Sequence, residues 1–344
     1  MKKIYAVLTG LFIAGPMFAQ DDVMNDLLKE SKPKHDYVAY TFKSTNVICG
    51  QSIEMTKKKA LDFRVVHRFG NMADPNAGHT LAGFYAISDV LFSFDYGVTE
   101  DFSVGTAFAK GAGPVQELYN IHGKYRVLKQ TKDFKTPFTI TLYGNAAVSG
   151  QKTDPFTGNL MSSESAAHRF SYVLQSLIAV KATDWLSIQL SPSFVWRNYV
   201  GNPDIQGNPG LDKNGMFFLG LQGRAKLTKR QAIVFEYFLP ITMSGATYRE
   251  YFPMIRNLSG QKFYPCLNLG YEVETGGHVF TINLTNTGGL MEQDYLPYTN
   301  SNWAKGQFRL GFTISRIFQF GNKKVSPWTG KEPKAKKDKD KAAN

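Results

Sequence analysis

The chain has 344 residues and a formal net charge of +12. Aromatic residues make up 14% of it, among them 17 Tyr and 26 Phe, while only 20% of residues are charged. The length admits one large β domain or two ordinary ones. Of that charge, +7 lies at the two ends, on Lys2 and Lys3 and on a tail with eight Lys against three acids, which leaves +5 on the body between them and argues against nucleic-acid binding.

In chain order, MKKIYAVLTGLFIAGPMFAQDD has a basic start, a short apolar core and a small residue at Ala19, and it predicts a signal peptide over 1–19. A short periplasmic segment over 20–36 follows, with a brief helical candidate at Val23–Glu30. No later stretch reaches the ~18–20 apolar residues of a spanning helix. From Leu61 onward, segments of alternating polarity recur instead. They are Leu61–Phe69, Val90–Val98, Phe102–Lys110, Val115–Lys129, Phe138–Ser149, His168–Thr183, Leu186–Tyr199, Met216–Thr228, Ala232–Leu239, Tyr264–Glu274, Val279–Asn286 and Gln307–Phe320. Their connections alternate between short and long, the pattern of an outer-membrane barrel with tight periplasmic turns and long outer loops.

In the last segment, Phe308, Leu310, Phe312 and Ile314 alternate with Arg309, Gly311, Thr313 and Ser315. The polar faces are built of Ser, Thr, Asn, Gln and Gly, which suits a barrel interior better than a soluble surface. Trp185, Trp196, Tyr199, Tyr264 and Phe320 stand near segment ends, where membrane interfaces fall. The predicted fold is therefore all-β: a transmembrane antiparallel up-and-down barrel of about 12 strands, of the Gram-negative outer-membrane type, over 61–320. A disordered basic tail over 321–344 ends the chain.

The run before Leu61 is the odd piece. A strand at Tyr37–Ile48 would make the count thirteen and start the barrel on the wrong side. The segment 37–60 is therefore expected as a lumen plug or a rim segment, with Lys43, Asn46, Gln51 and Glu54 as plug or gate residues. An ordinary additional strand is the alternative.

At Thr41–Glu54 (TFKSTNVICGQSIE), Leu61–Gly70 (LDFRVVHRFG) and Phe92–Ala107 (FSFDYGVTEDFSVGTA), the chain resembles a family of bacterial outer-membrane β-barrels described only as a domain of unknown function. Cys49 departs from the expected pattern of a small polar residue. The resemblance implies a barrel and no reaction.

The interior-facing positions include Asp62, Asp95, Glu236 and Glu272 and a larger basic set. Arg64, Arg68, Lys124, Arg126, Arg169, Arg197, Arg224 and Arg309 are the candidate anion-binding residues, since rings of Arg and Lys favour anions. Two functions fit. One is a narrow channel or solute-specific porin for small anionic solutes. The other is a non-conducting barrel that anchors or scaffolds an envelope protein complex, with loops Pro240–Phe263 and Thr287–Lys305 as partner surfaces. The six His form no H-x-x-x-H or H-E-x-x-H pair, so neither metal nor cofactor is implied. A lipase-type site at His67, His122 or His168 lacks a supporting motif, and an enzyme is not expected. Cys49 and Cys266 permit one disulfide or two buried thiols. The expected partners are the outer-membrane bilayer, a small anionic solute and an envelope protein.

Overall fold

The computed structural model describes residues 36–112, 116–151, 166–198, 200, 212–253, 255–256 and 260–320. The expected signal peptide, the Val23–Glu30 helix and the basic tail lie outside the described residues.

Twelve strands close into one antiparallel barrel, each paired with its sequence neighbours and the first with the last. They are β1 (Ala60–Asn71), β2 (Ile87–Gly97), β3 (Phe102–Ala109), β4 (Leu118–Leu128), β5 (Thr139–Ser149), β6 (Phe170–Lys181), β7 (Leu186–Arg197), β8 (Gly215–Lys226), β9 (Gln231–Ile241), β10 (Cys266–Glu274), β11 (His278–Thr285) and β12 (Arg309–Gln319). Closure runs from Ala60 opposite Gln319 to Asn71 opposite Arg309. The predicted strands differ from these mainly at their ends. The Val115 start expected for β4 falls before Leu118, where Glu117 takes a left-handed φ of 53° and turns the chain into the strand.

The pleat sends alternate side chains to opposite faces, and the two faces are inverted relative to a soluble protein. Asp62, Arg68, Gln189, Gln222, Glu236 and Asn268 on the inner face are fully buried. On the outer face Leu174, Phe217, Leu269 and Ile282 are each more than half exposed. Such a ring is stable only against hydrocarbon, where backbone groups must be internally paired and the closed ladder pairs them. The face of Phe312 and Ile314 in β12 belongs to this ring.

Short links, such as those at 98–101, 182–185 and 275–277, lie at the end of the barrel where β1 begins; the long ones lie at the other end. Within the longest outer loops, a 3₁₀ turn covers Ala166–Arg169 and a short helix, α1, covers Glu292–Tyr298.

An eight-stranded barrel is just wide enough for side chains to fill it. Twelve strands leave more room, and among the described residues a hairpin over 41–56 and α1 lie within it.

Candidate functional site: the barrel interior

The hairpin is built by local hydrogen bonding. Val47 N donates to Gly50 O at 2.9 Å and Ser52 N to Thr45 O at 3.0 Å, folding Val47–Gly50 into a tight turn. Ser52 Oγ donates to Ser44 O at 2.6 Å, and the amides of Thr41 and Phe42 donate to Glu54 Oε1 at 2.8 and 3.0 Å. Left-handed backbone at Tyr40 (φ 56°) and Lys59 (φ 58°) turns the chain before the hairpin and again before β1.

The wall residues that hold the hairpin come from all round the barrel, so it sits within the lumen. The turn rests on Glu236 of β9. Ile48 N and Gly50 N donate to Oε1 at 2.8 and 2.9 Å, and Cys49 N donates to Oε2 at 3.0 Å. Asn268 Nδ2 of β10 and Gln222 Nε2 of β8 donate to the same carboxylate at 2.8 and 3.2 Å. Successive amides aimed at one carboxylate form an anion nest. Gly50 permits this seat: a Cβ there would lie 2.6 Å from Gln222 Nε2 and 2.8 Å from Phe238 Cζ.

Farther down, Lys124 of β4 ties both arms, donating to Thr45 O at 2.6 Å and Ser52 O at 3.1 Å. Arg64 of β1 bonds Thr45 Oγ1, and that hydroxyl donates to Asp62 at 3.0 Å. On the opposite wall, Gln189 of β7 accepts Ile53 N at 2.9 Å and donates to Gln51 O at 2.8 Å. Arg68 donates to Cys49 Sγ at 3.0 Å and to Thr287 O at 2.9 Å. Burial pushes the Cys49 thiol up, and both Cys49 and Cys266 are free thiols.

From the other side α1 turns inward and meets the hairpin. Gln51 Nε2 donates to Glu292 Oε1 at 2.8 Å. Asn145 of β5 donates to Glu292 Oε2 at 3.1 Å, and Tyr295 packs on Phe238 with ring centroids 5.7 Å apart. Asp89 of β2 fixes the approach to α1 by accepting Leu290 N at 3.0 Å. Burial pushes the Glu292 carboxyl above its ordinary range. The loop 287–305, expected as an outward partner surface, thus buries Leu290–Leu296 inside the barrel. Its helix is too short, and interrupted by Pro297, for periodicity to reveal it.

The expected anion-binding residues stand at different levels. Arg64, Arg68, Lys124 and Arg224 are buried inside, with Arg224 paired to Glu272 at 2.8 Å. Arg197, at the outer end of β7, donates to Tyr298 OH at 2.6 Å and lies over the Phe252 ring at 4.9 Å. Arg309 is at the outer mouth, bonded to Ser301 Oγ at 3.3 Å. Arg126 sits at the opposite rim, paired with Asp101 at 2.8 Å, and Arg169 lies in the outer 3₁₀ turn. Of the expected plug residues, Gln51 reaches α1 and Lys43 pairs with Glu274 at 2.7 Å. Asn46 and Glu54 bond within the hairpin. The residues missed by sequence reasoning are Gln189, Gln222 and Asn145, whose inward position in the alternation was the available signal.

At the periplasmic mouth, Lys57, Arg126 and Lys129 line a cavity of about 200 Å³ with Tyr40, Glu54 and Glu100. Burial lowers both lysines, and burial together with Glu54 pushes the Tyr40 phenol up to about 12.

His67 stacks on Phe312 on the lipid side, with centroids 5.3 Å apart. His122 reaches over Gly105 to Asp95 at 2.6 Å, and Ser93 donates to that aspartate rather than to the imidazole. His168 lies in the outer 3₁₀ turn.

A family model described as "Membrane bound beta barrel domain (DUF5777)" matches residues 42–318. The chain belongs to this family. The DUF5777 match takes in the hairpin as well as the wall, so the interior segment is part of the domain. Membrane-bound, with an apolar outer ring on a closed barrel, the protein resides in the outer membrane.

No curated protein matches the chain in sequence. Solved structures similar to it include the NanC porin, at 9% identity and TM-score 0.42, covering 76% of this chain and 100% of that one. The KdgM porin in complex with disordered oligogalacturonate gives 9%, 0.41, 76% and 99%. Outer membrane phospholipase A from Escherichia coli gives 14%, 0.38, 76% and 91%. Likenesses this distant carry no argument about activity.

Proposed function

We propose that this outer-membrane barrel is non-conducting at rest, with the 41–56 hairpin as its plug and α1 as a cap, and that it serves as a sealed anchor in the envelope. The observation that carries the reading is the seat of the hairpin on Glu236, where three backbone amides and two side-chain amides converge on one buried carboxylate. A segment held by charge-assisted bonds from several strands, and continued upward by α1, leaves the basic residues of the wall engaged rather than lining a path. This favours the anchoring role over an open anion pore.

A gated channel for small anions is the second reading. It is favoured by the wall at the hairpin's depth, where Gln189, Ser191, Ser193, Gln222 and Asn268 present groups that water can solvate if the hairpin leaves. Departure would also uncover Lys124 and Arg64.

Liposome swelling tests the closed state. Vesicles carrying the full chain, transferred into iso-osmotic solutions of small neutral and anionic sugars, are expected to swell no faster than empty vesicles. Swelling by the unmodified chain contradicts the anchoring reading.

A further inference from the structure

We propose that the outer loop joining β1 to β2 lies in the outer leaflet of the membrane, with Leu81, Phe84 and Tyr85 seated against lipid. In the structure Leu81 is 58% exposed, Phe84 44% and Tyr85 76%. Large apolar side chains left open together on a folded surface mark an interaction face.

The backbone is bent to present them. Leu81 and Ala82 take left-handed φ angles of 49° and 52°, and Gly83 follows at 86°. A residue with a Cβ adopts that conformation only at a cost, and it persists where the surroundings fix it. Here Ala82 N donates to Ala77 O at 2.8 Å, Tyr85 N to Thr80 O at 3.0 Å and Gly83 N to Thr80 Oγ1 at 3.1 Å. Gly70 N, in β1, donates to Gly83 O at 3.0 Å and ties the turn to the strand end. The approach is close enough that a Cβ on Gly83 would lie 2.6 Å from Gly70 O. The turn gives the loop two sides. Asn76, Thr80 and Gly83 border a cavity at the outer mouth. Phe84 lies on the other side, with its ring on that of Phe69 and the centroids 5.1 Å apart.

That contact identifies the occupant. Phe69 belongs to the outer face of β1 and packs against Phe312 of the lipid-facing ring, with centroids 6.2 Å apart. Phe84 therefore continues a surface that already meets hydrocarbon. At the same end of the barrel Phe108, Tyr119, Trp196 and Phe217 stand exposed, the aromatic belt of a membrane interface. The sequence agrees. Pro75–Ser88 contains no Asp, Glu, Lys or Arg, whereas the outer loop after β9 carries Arg249, Glu250, Arg256 and Lys262. The second loop is made for water and the first for the interface. Its seat in the leaflet does not depend on whether the lumen is sealed.

Nitroxide labelling of the full chain, folded into phosphatidylcholine vesicles, tests it. Cys49 and Cys266 are buried, so a label attached after folding reports the introduced position in Leu81→Cys, Tyr85→Cys or Asn76→Cys. Collision with dissolved oxygen, which concentrates in lipid, is compared with collision with a water-soluble nickel chelate. The oxygen-to-nickel ratio is expected to be several-fold higher at positions 81 and 85 than at 76, on the mouth side of the same loop. Tyr85→Cys carries the test if Leu81→Cys does not fold. A ratio at 81 and 85 equal to that at 76 places the loop in water and overturns the proposal. Shielding of both positions from both reagents, as a second copy of the chain or another protein would give, overturns it too.

Discussion

Glu236→Gln removes the charge from the hairpin's seat while keeping its size. The carboxylate receives Ile48 N and Gly50 N on one oxygen, Cys49 N and Asn268 Nδ2 on the other, and Gln222 Nε2 at 3.2 Å. A glutamine offers one acceptor oxygen and turns an NH₂ toward two donors. A hydrogen bond to a charged group contributes about 1.5–3 kcal/mol, and a buried donor left without a partner costs about 1–3 kcal/mol. Losing two such bonds destabilises the docked hairpin by about 3–6 kcal/mol. With a factor of ten per ~1.4 kcal/mol, the undocked population rises about a hundredfold to ten-thousandfold. Cys49, buried beneath Arg68, reports the event. A membrane-impermeant maleimide, with the labelled site located by mass spectrometry, should leave Cys49 unmodified in the parent chain and modify it in Glu236→Gln. Equal protection of Cys49 in the two proteins refutes the reasoning.

Other residues make independent predictions. Gly50→Ala places a methyl group 2.6 Å from Gln222 Nε2 and should expose Cys49 in the same assay, at a cost of about 1–3 kcal/mol. Lys124→Met leaves Thr45 O and Ser52 O without their shared donor and should lower the heat-modification temperature of the folded barrel on gels, since stranding buried polar partners costs about 1–3 kcal/mol each. Burial raises Glu292 above its ordinary value of 4.5, so α1 is held more tightly while that carboxyl is protonated. Its docking should therefore weaken as pH rises from 4.5 through the higher folded value; hydrogen exchange across 290–298 should show this, and Glu292→Gln should flatten the slope. Ile282→Arg on the outer face should reduce folding into lipid vesicles by about 2–4 kcal/mol if it lies near the midplane, whereas a water-facing position would tolerate it.

The barrel was legible because its signal is periodic. Alternation in β7, β10, β11 and β12 sets the faces, and the parity of loop lengths sets the sides, so the fold class, strand number and outer ring follow from residue order alone. The interior was less so. Arg64, Lys124 and Glu236 are inward by the same alternation, but periodicity along a strand does not say which strands face each other across the lumen, and that pairing decides whether a charge lines a path or holds a backbone. Arg126 and Arg197 illustrate the limit. Both have inward parity, yet they stand at opposite ends, one beside Asp101 and the other over Phe252. The inward turn of α1 depends on distant partners, Asp89, Asn145 and Phe238, and leaves no local trace in its seven residues.

Single-channel recording in planar bilayers tests the closed-barrel account most directly, comparing the full chain with one lacking residues 41–56. The account predicts a silent full chain, and discrete openings after deletion whose ion preference changes with Lys124→Glu. Discrete openings by the intact chain, of the same size as those of the deletion, would contradict it.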